Sequence, residues 1–183
     1  LVNSEIRKKI RKVKKKRKNV NIENQNSLVN KLQFTLTKDQ DKALQEINKD
    51  LNSTNKMFRL LQGDVGSGKT IVSLIAALNT INSGFQVAFM APTEILTRQH
   101  YNLAKKIFSK TKKIEIISGK SEYKEKKEIL KNLENNKVDI IFGTHAVFQK
   151  KVIFNKLGLI IIDEQHKFGV NQRKKLSDKG GTD

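Results

Sequence analysis

Eleven consecutive residues leave this chain few folds to choose from: Leu60-Leu61-Gln62-Gly63-Asp64-Val65-Gly66-Ser67-Gly68-Lys69-Thr70. They contain G-x-x-x-x-G-K-T in full, a pattern whose glycines let backbone N–H groups curl round an anion with no Cβ in the way. Met57 to Leu61, mostly apolar and short, predicts a buried strand before the loop. Ile71, Leu74, Ile75 and Leu78 recur at i, i+3, i+4 and i+7 and predict an amphipathic helix after it. Strand, glycine loop and helix together make a phosphate-binding loop, and the helix adds its unpaired N–H groups and positive dipole end. Gly63, Asp64, Val65, Gly66, Ser67 and Gly68 form the expected cradle. Lys69 would reach the β- and γ-phosphates of a nucleotide, and Thr70 would place a hydroxyl on Mg²⁺.

A chain of 183 residues has room for one domain with a sizeable core plus an extension. It opens on Leu1 and stops in the turn-like run Gly180-Gly181-Thr182-Asp183, which leads us to expect a piece of a longer protein. Without cysteine there is no disulfide framework and no thiolate metal site, which fits a reducing compartment. The longest apolar run, Leu157 to Ile162, is too short to cross a membrane, and the basic N-terminus lacks the apolar segment of a secretory signal. A cytoplasmic protein with no membrane partner is expected.

The net charge of +19 points to a polyanionic partner. Lysine outnumbers arginine 31 to 6, however, and an AT-rich genome would also enrich lysine, so the total leaves both explanations open. Its distribution says more: residues 1–20 hold ten basic side chains against Glu5 alone. Ile6, Ile10 and Val13 stand at helical spacing among them, so residues 1–30 read as a basic helical extension ending in a polar linker.

A new unit opens at Phe34-Thr35-Leu36-Thr37, with Thr37 as N-cap of a helix carrying Leu44, Ile47 and Leu51 and ending near Asn52-Ser53. The loop helix closes at Asn82-Ser83-Gly84. Strands are then predicted over 86–91, 114–117, 138–142 and 157–162. Between them lie a helix from Pro92-Thr93-Glu94, with Leu96, Leu103, Ile107 and Phe108 on its apolar face, and a charged helix over 122–133. Alternating strands and helices predict an α/β fold with a parallel sheet sandwiched between helices. Near-continuous Ile, Val and Leu in the strands agree, because such a sheet is buried on both faces. Ligands of these sheets bind beyond the carboxyl ends of the strands, where every candidate motif falls.

The last strand delivers Asp163-Glu164-Gln165-His166. Asp163 can hold Mg²⁺ opposite Thr70, and Glu164 is placed to orient and deprotonate an attacking water. No metal-ligand pattern joins His100, His145 and His166.

D-E-x-H marks superfamily 2 helicases, and the surrounding residues narrow the match. Residues 61–70, Met90-Ala91-Pro92-Thr93-Glu94-Ile95-Leu96, Gly143-Thr144-His145-Ala146 and Asp163-Glu164-Gln165-His166-Lys167-Phe168-Gly169-Val170 with Gln172-Arg173 resemble the RecG family of DNA helicases. The resemblance covers residues 31–183. It implies the first RecA-like lobe of a bacterial, ATP-dependent motor, with ATP and Mg²⁺ as cofactors. Its partner would be branched or fork DNA, remodelled in recombination and repair, and the working form a monomer. The family's wedge domain would then precede residue 1, and its second lobe, with an arginine finger, would follow residue 183.

By the same resemblance, Phe34 and Gln40 match the adenine-recognition segment, although Asp39 stands where the family often has a small residue. Pro92, Thr93, Glu94, Gly143, Thr144 and His145 match segments that touch DNA phosphates, and His166 matches the residue linking hydrolysis to movement. Other readings remain: the translocase acting on stalled RNA polymerase, which tends to have Thr where Glu94 stands here; a nucleotide-gated binding module; and a P-loop ATPase acting on protein.

If the basic extension meets phosphates, deleting residues 7–18 should weaken DNA binding and flatten its salt dependence. Each lost contact should reduce the slope of log K against log salt by about 0.9 on duplex DNA. An unchanged slope in a filter-binding titration would make the lysine run a solvated helix face.

Overall fold

Thr37 fixes the first helix. Its hydroxyl accepts the Gln40 N–H and its own N–H donates to the Gln40 side-chain oxygen, a reciprocal cap that satisfies two donors at the start of α1 (Lys38–Asn52). Leu44, Ile47 and Leu51 are buried on one face, as their spacing predicts. This helix belongs to a computed structural model that describes residues 35–54, 57–64, 66–108, 110, 112–144 and 152–164. The chain divides into two units between Ser83 and Gly84. The expected basic extension, residues 1–30, lies outside the described residues.

In the first unit α1 packs on α2 (Lys69–Asn82), and between them the Asn79 amide donates to Asn48 at 3.1 Å, both side chains buried. Arg59 reaches back to Glu46 at 2.6 Å and Asp50 at 2.8 Å, pinning the approach to the glycine loop onto α1. These carboxylates, chiefly through the hydrogen bond to Asp50, hold the guanidinium pKa above its ordinary value. The strand expected over Met57–Leu61 is not formed: residues 57–64 join no β-ladder, and Phe58 and Leu60 are exposed. A five-residue apolar run specifies a strand only when a neighbour completes its hydrogen bonds. Here the Arg59 ion pairs hold the segment instead.

The second unit is a four-stranded sheet. Its elements are β1 (Gln86–Ala91), α3 (Glu94–Ile107), β2 (Ile114–Ile117), α4 (Tyr123–Glu134), β3 (Ile140–Thr144) and β4 (Leu157–Ile162). The order is β2-β3-β1-β4 and every pairing is parallel, as the alternation of strands and helices predicts. Alternation along β1 divides the core. Ala88 and Met90 join Ile117, Ile141 and the α4 residues Ile129 and Leu133 on one face. Phe89 turns to the other face, stacking on Phe142 and meeting α3 through His100.

Two elements depart from expectation. β3 begins two residues late and runs through Gly143 and Thr144, which pair with Met90 and Ala91. A glycine inside an apolar run reads as a strand end, yet the ladder on both sides carries the strand past it. Along α3 the buried positions are Thr97, His100 and Ala104, followed by Phe108, whereas Leu96, Leu103 and Ile107 are only half-buried. The helix turns a small and polar stripe to the sheet.

One buried side chain ties the amino ends of three elements. The Gln86 amide donates to Leu133 O at 2.8 Å and Val138 O at 2.9 Å, and its oxygen accepts from Asn155 N at 2.9 Å and Lys156 N at 3.1 Å. Its hydrogen-bonding capacity is thereby filled. Gln86→Leu keeps the volume but strands the two buried carbonyls of Leu133 and Val138, so it should cost roughly 2–6 kcal/mol, given about 1–3 kcal/mol for each buried group left unpaired. Equilibrium urea unfolding should show a lower midpoint at unchanged slope.

Candidate functional site

The first unit carries the phosphate loop. Gly66 and Gly68 adopt left-handed φ of +83° and +79°, where a side chain is strained. Gly68 also caps α2 without a side-chain hydrogen bond, and its carbonyl accepts Ile71 N at 3.0 Å and Val72 N at 3.2 Å. The Lys69 ammonium donates to Gly63 O at 2.6 Å and Asp64 O at 2.7 Å, folding the loop over its own cation. Thr70 follows in the first turn of α2. Gln40, matched to adenine recognition, has both ends of its amide engaged. Its oxygen completes the α1 cap and its nitrogen donates to Ser67 O at 2.8 Å, within the loop. Thus Gln40 joins α1 to the phosphate cradle, a task its position alone did not reveal.

The second unit carries the acids. Asp163 lies one residue beyond β4, and its N–H donates to Met90 O at 2.9 Å, extending the ladder with β1. Its carboxylate accepts from His100 Nε2 at 2.7 Å. Glu164 follows with φ of +50°, unusual for a residue other than glycine. The residues after the neighbouring strands lie along the same edge. Pro92 and Thr93 follow β1, Thr144 ends β3, and Ser118 and Gly119 follow β2. Thr93 caps α3, accepting Leu96 N at 3.3 Å. The Glu94 carboxylate accepts the N–H of Gly119, bracing the start of α3 against the loop after β2.

The second unit therefore brings together Pro92, Thr93, Glu94, Gly143, Thr144, Asp163 and Glu164, while Gln40, Gly63, Asp64, Gly66, Ser67, Gly68, Lys69 and Thr70 belong to the first. Phe34, Val65, His145 and His166 lie outside the described residues, as do Phe168, Gly169, Val170 and Arg173. Among the described residues no three His, Cys, Asp or Glu side chains group as a metal site. His100 is the residue that sequence reasoning missed. A signal was there: Thr97, His100 and Ala104 form a stripe at i, i+3 and i+7 on the helix that opens with a site motif.

Comparison with known proteins bears on both units. The family model described as DEAD/DEAH box helicase matches residues 37–180. The ATP-dependent DNA helicase RecG of Borreliella burgdorferi is 48% identical over 154 residues, 84% of this chain and 22% of that protein. RecG of Thermotoga maritima is 48% identical over 153 residues, 83% of this chain and 20% of that one. The chain thus spans about a fifth of the length of these curated relatives. A solved structure described as RecG bound to a three-way DNA junction superposes with a TM-score of 0.85 at 43% identity, covering 92% of this chain and 23% of that one. The UvsW helicase from bacteriophage T4, at 16% identity and a TM-score of 0.66, shares the fold. The RecG resemblance and the RecA-like parallel sheet expected from the motifs are both found.

Alanine at Gly68 must take a left-handed φ and overlap the Gln40 amide, whereas at Gly66 it meets only the first problem. Gly68→Ala should cost at least about 1 kcal/mol more than the 1–3 kcal/mol expected for the strained backbone alone, and weaken nucleotide binding further than Gly66→Ala. Thermal melts and a fluorescent-nucleotide titration check this; equal losses would make the Gln40 contact immaterial.

Proposed function

The chain belongs to the DEAD/DEAH box helicase family, and from that footing we propose that it is the nucleotide-binding motor lobe of a RecG-type DNA helicase. The parent reaction would be hydrolysis of ATP to ADP and phosphate, coupled to translocation on branched or fork DNA in recombination and repair. The observation that carries this reading is the phosphate loop on the N-terminus of α2, with Lys69 inside it, in a chain 48% identical to RecG proteins. The superposed RecG is bound to a three-way DNA junction, which supports a junction as partner here. The chain's share of its relatives fits one lobe of a larger machine, which we take to work as a monomer. No helix among the described residues is long and apolar enough to cross a membrane. The bacterial DNA helicases it resembles support the bacterial cytoplasm as its place of work.

Each residue has a separable task. Lys69 exchanges the carbonyls of Gly63 and Asp64 for β- and γ-phosphate oxygens, a stronger charge-assisted pairing. The α2 N-terminus stabilises the same charge through its N–H groups. Thr70 and Asp163 would hold Mg²⁺, which when bound neutralises developing charge on the phosphates. Glu164 orients the water and takes its proton. Pro92, Thr93, Gly143 and Thr144 offer backbone and hydroxyl groups to the DNA phosphates, contacts that position without reading sequence. Glu94, acidic and bonded to Gly119, braces that surface from behind.

In the full-length parent, Lys69→Ala should abolish ATP turnover. Glu164→Gln should keep nucleotide binding and slow hydrolysis by roughly 10²–10⁴-fold, the usual worth of a positioned base. Nucleotide titration beside a DNA-stimulated ATPase assay separates the two. Equal loss of nucleotide binding in both variants, or turnover indifferent to DNA, would defeat the assignment.

A further inference from the structure

The His100–Asp163 contact lies outside the tasks assigned so far. We propose that His100 is a positioning residue: it orients Asp163 for the metal and ties that acid to α3, so that DNA held at the start of α3 is felt at the nucleotide. This rests on the assignment of Asp163 as the metal-holding acid and of the α3 N-terminus as a DNA contact.

The geometry is that of a locked pair. His100 is 8% exposed, and its Nε2 lies 2.7 Å from Asp163 Oδ2. A carboxylate accepts and cannot donate, so Nε2 carries the proton of this bond. The imidazole lies on a platform of rings: Phe89 is 4.9 Å from it, Phe89 stacks on Phe142 at 5.1 Å, and Tyr101 meets the edge of Phe142 at 6.0 Å. The Asp163 backbone is fixed separately by its bond to Met90 O. With backbone and ring both held, the imidazole controls which way the carboxylate faces.

His100 also gives α3 a lever. Seven residues, about 10 Å of helix, separate it from the cap Thr93. Thr93 is bound twice into the first turn, to Leu96 N and to the Thr97 hydroxyl at 2.8 Å, so the cap and the helix move together. Glu94 fastens the same turn to Gly119. A shift of the helix start therefore reaches the imidazole through one rigid element, and the imidazole transmits it to Asp163. Partners that orient a metal-holding side chain typically contribute 10–100-fold to metal affinity or activity.

The test uses the full-length helicase and three substitutions. His100→Leu keeps bulk and removes the donor; His100→Gln restores an N–H near the place of Nε2; Asp163→Asn reports on the acid itself. The first readout is binding of a fluorescent ATP analogue as free Mg²⁺ is varied. His100→Leu should weaken the apparent Mg²⁺ affinity about 10–100-fold, while analogue affinity without metal stays unchanged, and His100→Gln should recover most of the loss. The second readout is the factor by which three-way junction DNA changes Mg–nucleotide affinity. Such coupling is typically 5–150-fold and equals the reciprocal effect of nucleotide on DNA affinity. In His100→Leu it should fall toward one. If His100→Leu does not fold, His100→Asn, whose amide stops short of Asp163, takes its place with the same expected losses. Unchanged Mg²⁺ affinity, equal losses in the Leu and Gln variants, or an unchanged DNA factor would overturn the proposal and leave His100 a packing residue. If Asp163→Asn keeps full Mg²⁺ affinity, the assignment of the acid fails first and takes this inference with it.

Discussion

The ladders on either side of β1 set the geometry of the second unit. This strand is buried along its whole length and pairs in parallel with β3 on one side and β4 on the other. Register leaves no freedom at its carboxyl end: Ala91 stands opposite Thr144, and Met90 opposite Ile162. Ala91, Thr144 and Asp163 therefore stand level with one another, although up to 72 residues apart in the chain, and Pro92 follows one residue on. A one-residue slip would turn each side chain to the opposite face. The Gln86 amide guards against that at the other end of the strand, since it binds the entrances of both neighbours at once.

Much of this was legible in the residues. The cap at Thr37, the apolar face of α1, four of the strands and the glycine loop all follow from local chemistry that a sequence displays directly. What escaped was decided by tertiary partners. Met57–Leu61 has the composition of a strand but joins no ladder among the described residues. The leucines of α3 promised a buried stripe, but the sheet takes Thr97, His100 and Ala104, because the Phe89 ring and the Asp163 carboxylate together favour an imidazole over a larger apolar chain. Gln40 matches an adenine-recognition position by resemblance, and nothing local says that its nitrogen also reaches Ser67. Long-range hydrogen bonds of single polar side chains leave no periodicity to find.

The phosphate loop and the acid edge share a design in which protein groups hold each reactive side chain. Lys69 is directed by the loop carbonyls of Gly63 and Asp64, and Asp163 by the His100 imidazole. An ammonium or carboxylate left to choose among rotamers would have to be ordered when ligand arrives, at a cost in side-chain entropy that weakens binding. Here that ordering is already complete.

Glu164 adds a different kind of constraint. Its backbone lies in the left-handed region at φ of +50°, where an L-amino acid with a Cβ pays roughly 1 kcal/mol or more relative to glycine. The chain would be more comfortable with glycine or asparagine at this place, and neither could serve as the base proposed for Glu164. Under that proposal thermal robustness and turnover pull in opposite directions at a single residue. A lineage that stopped needing hydrolysis would be expected to lose this glutamate early, and to gain stability by doing so.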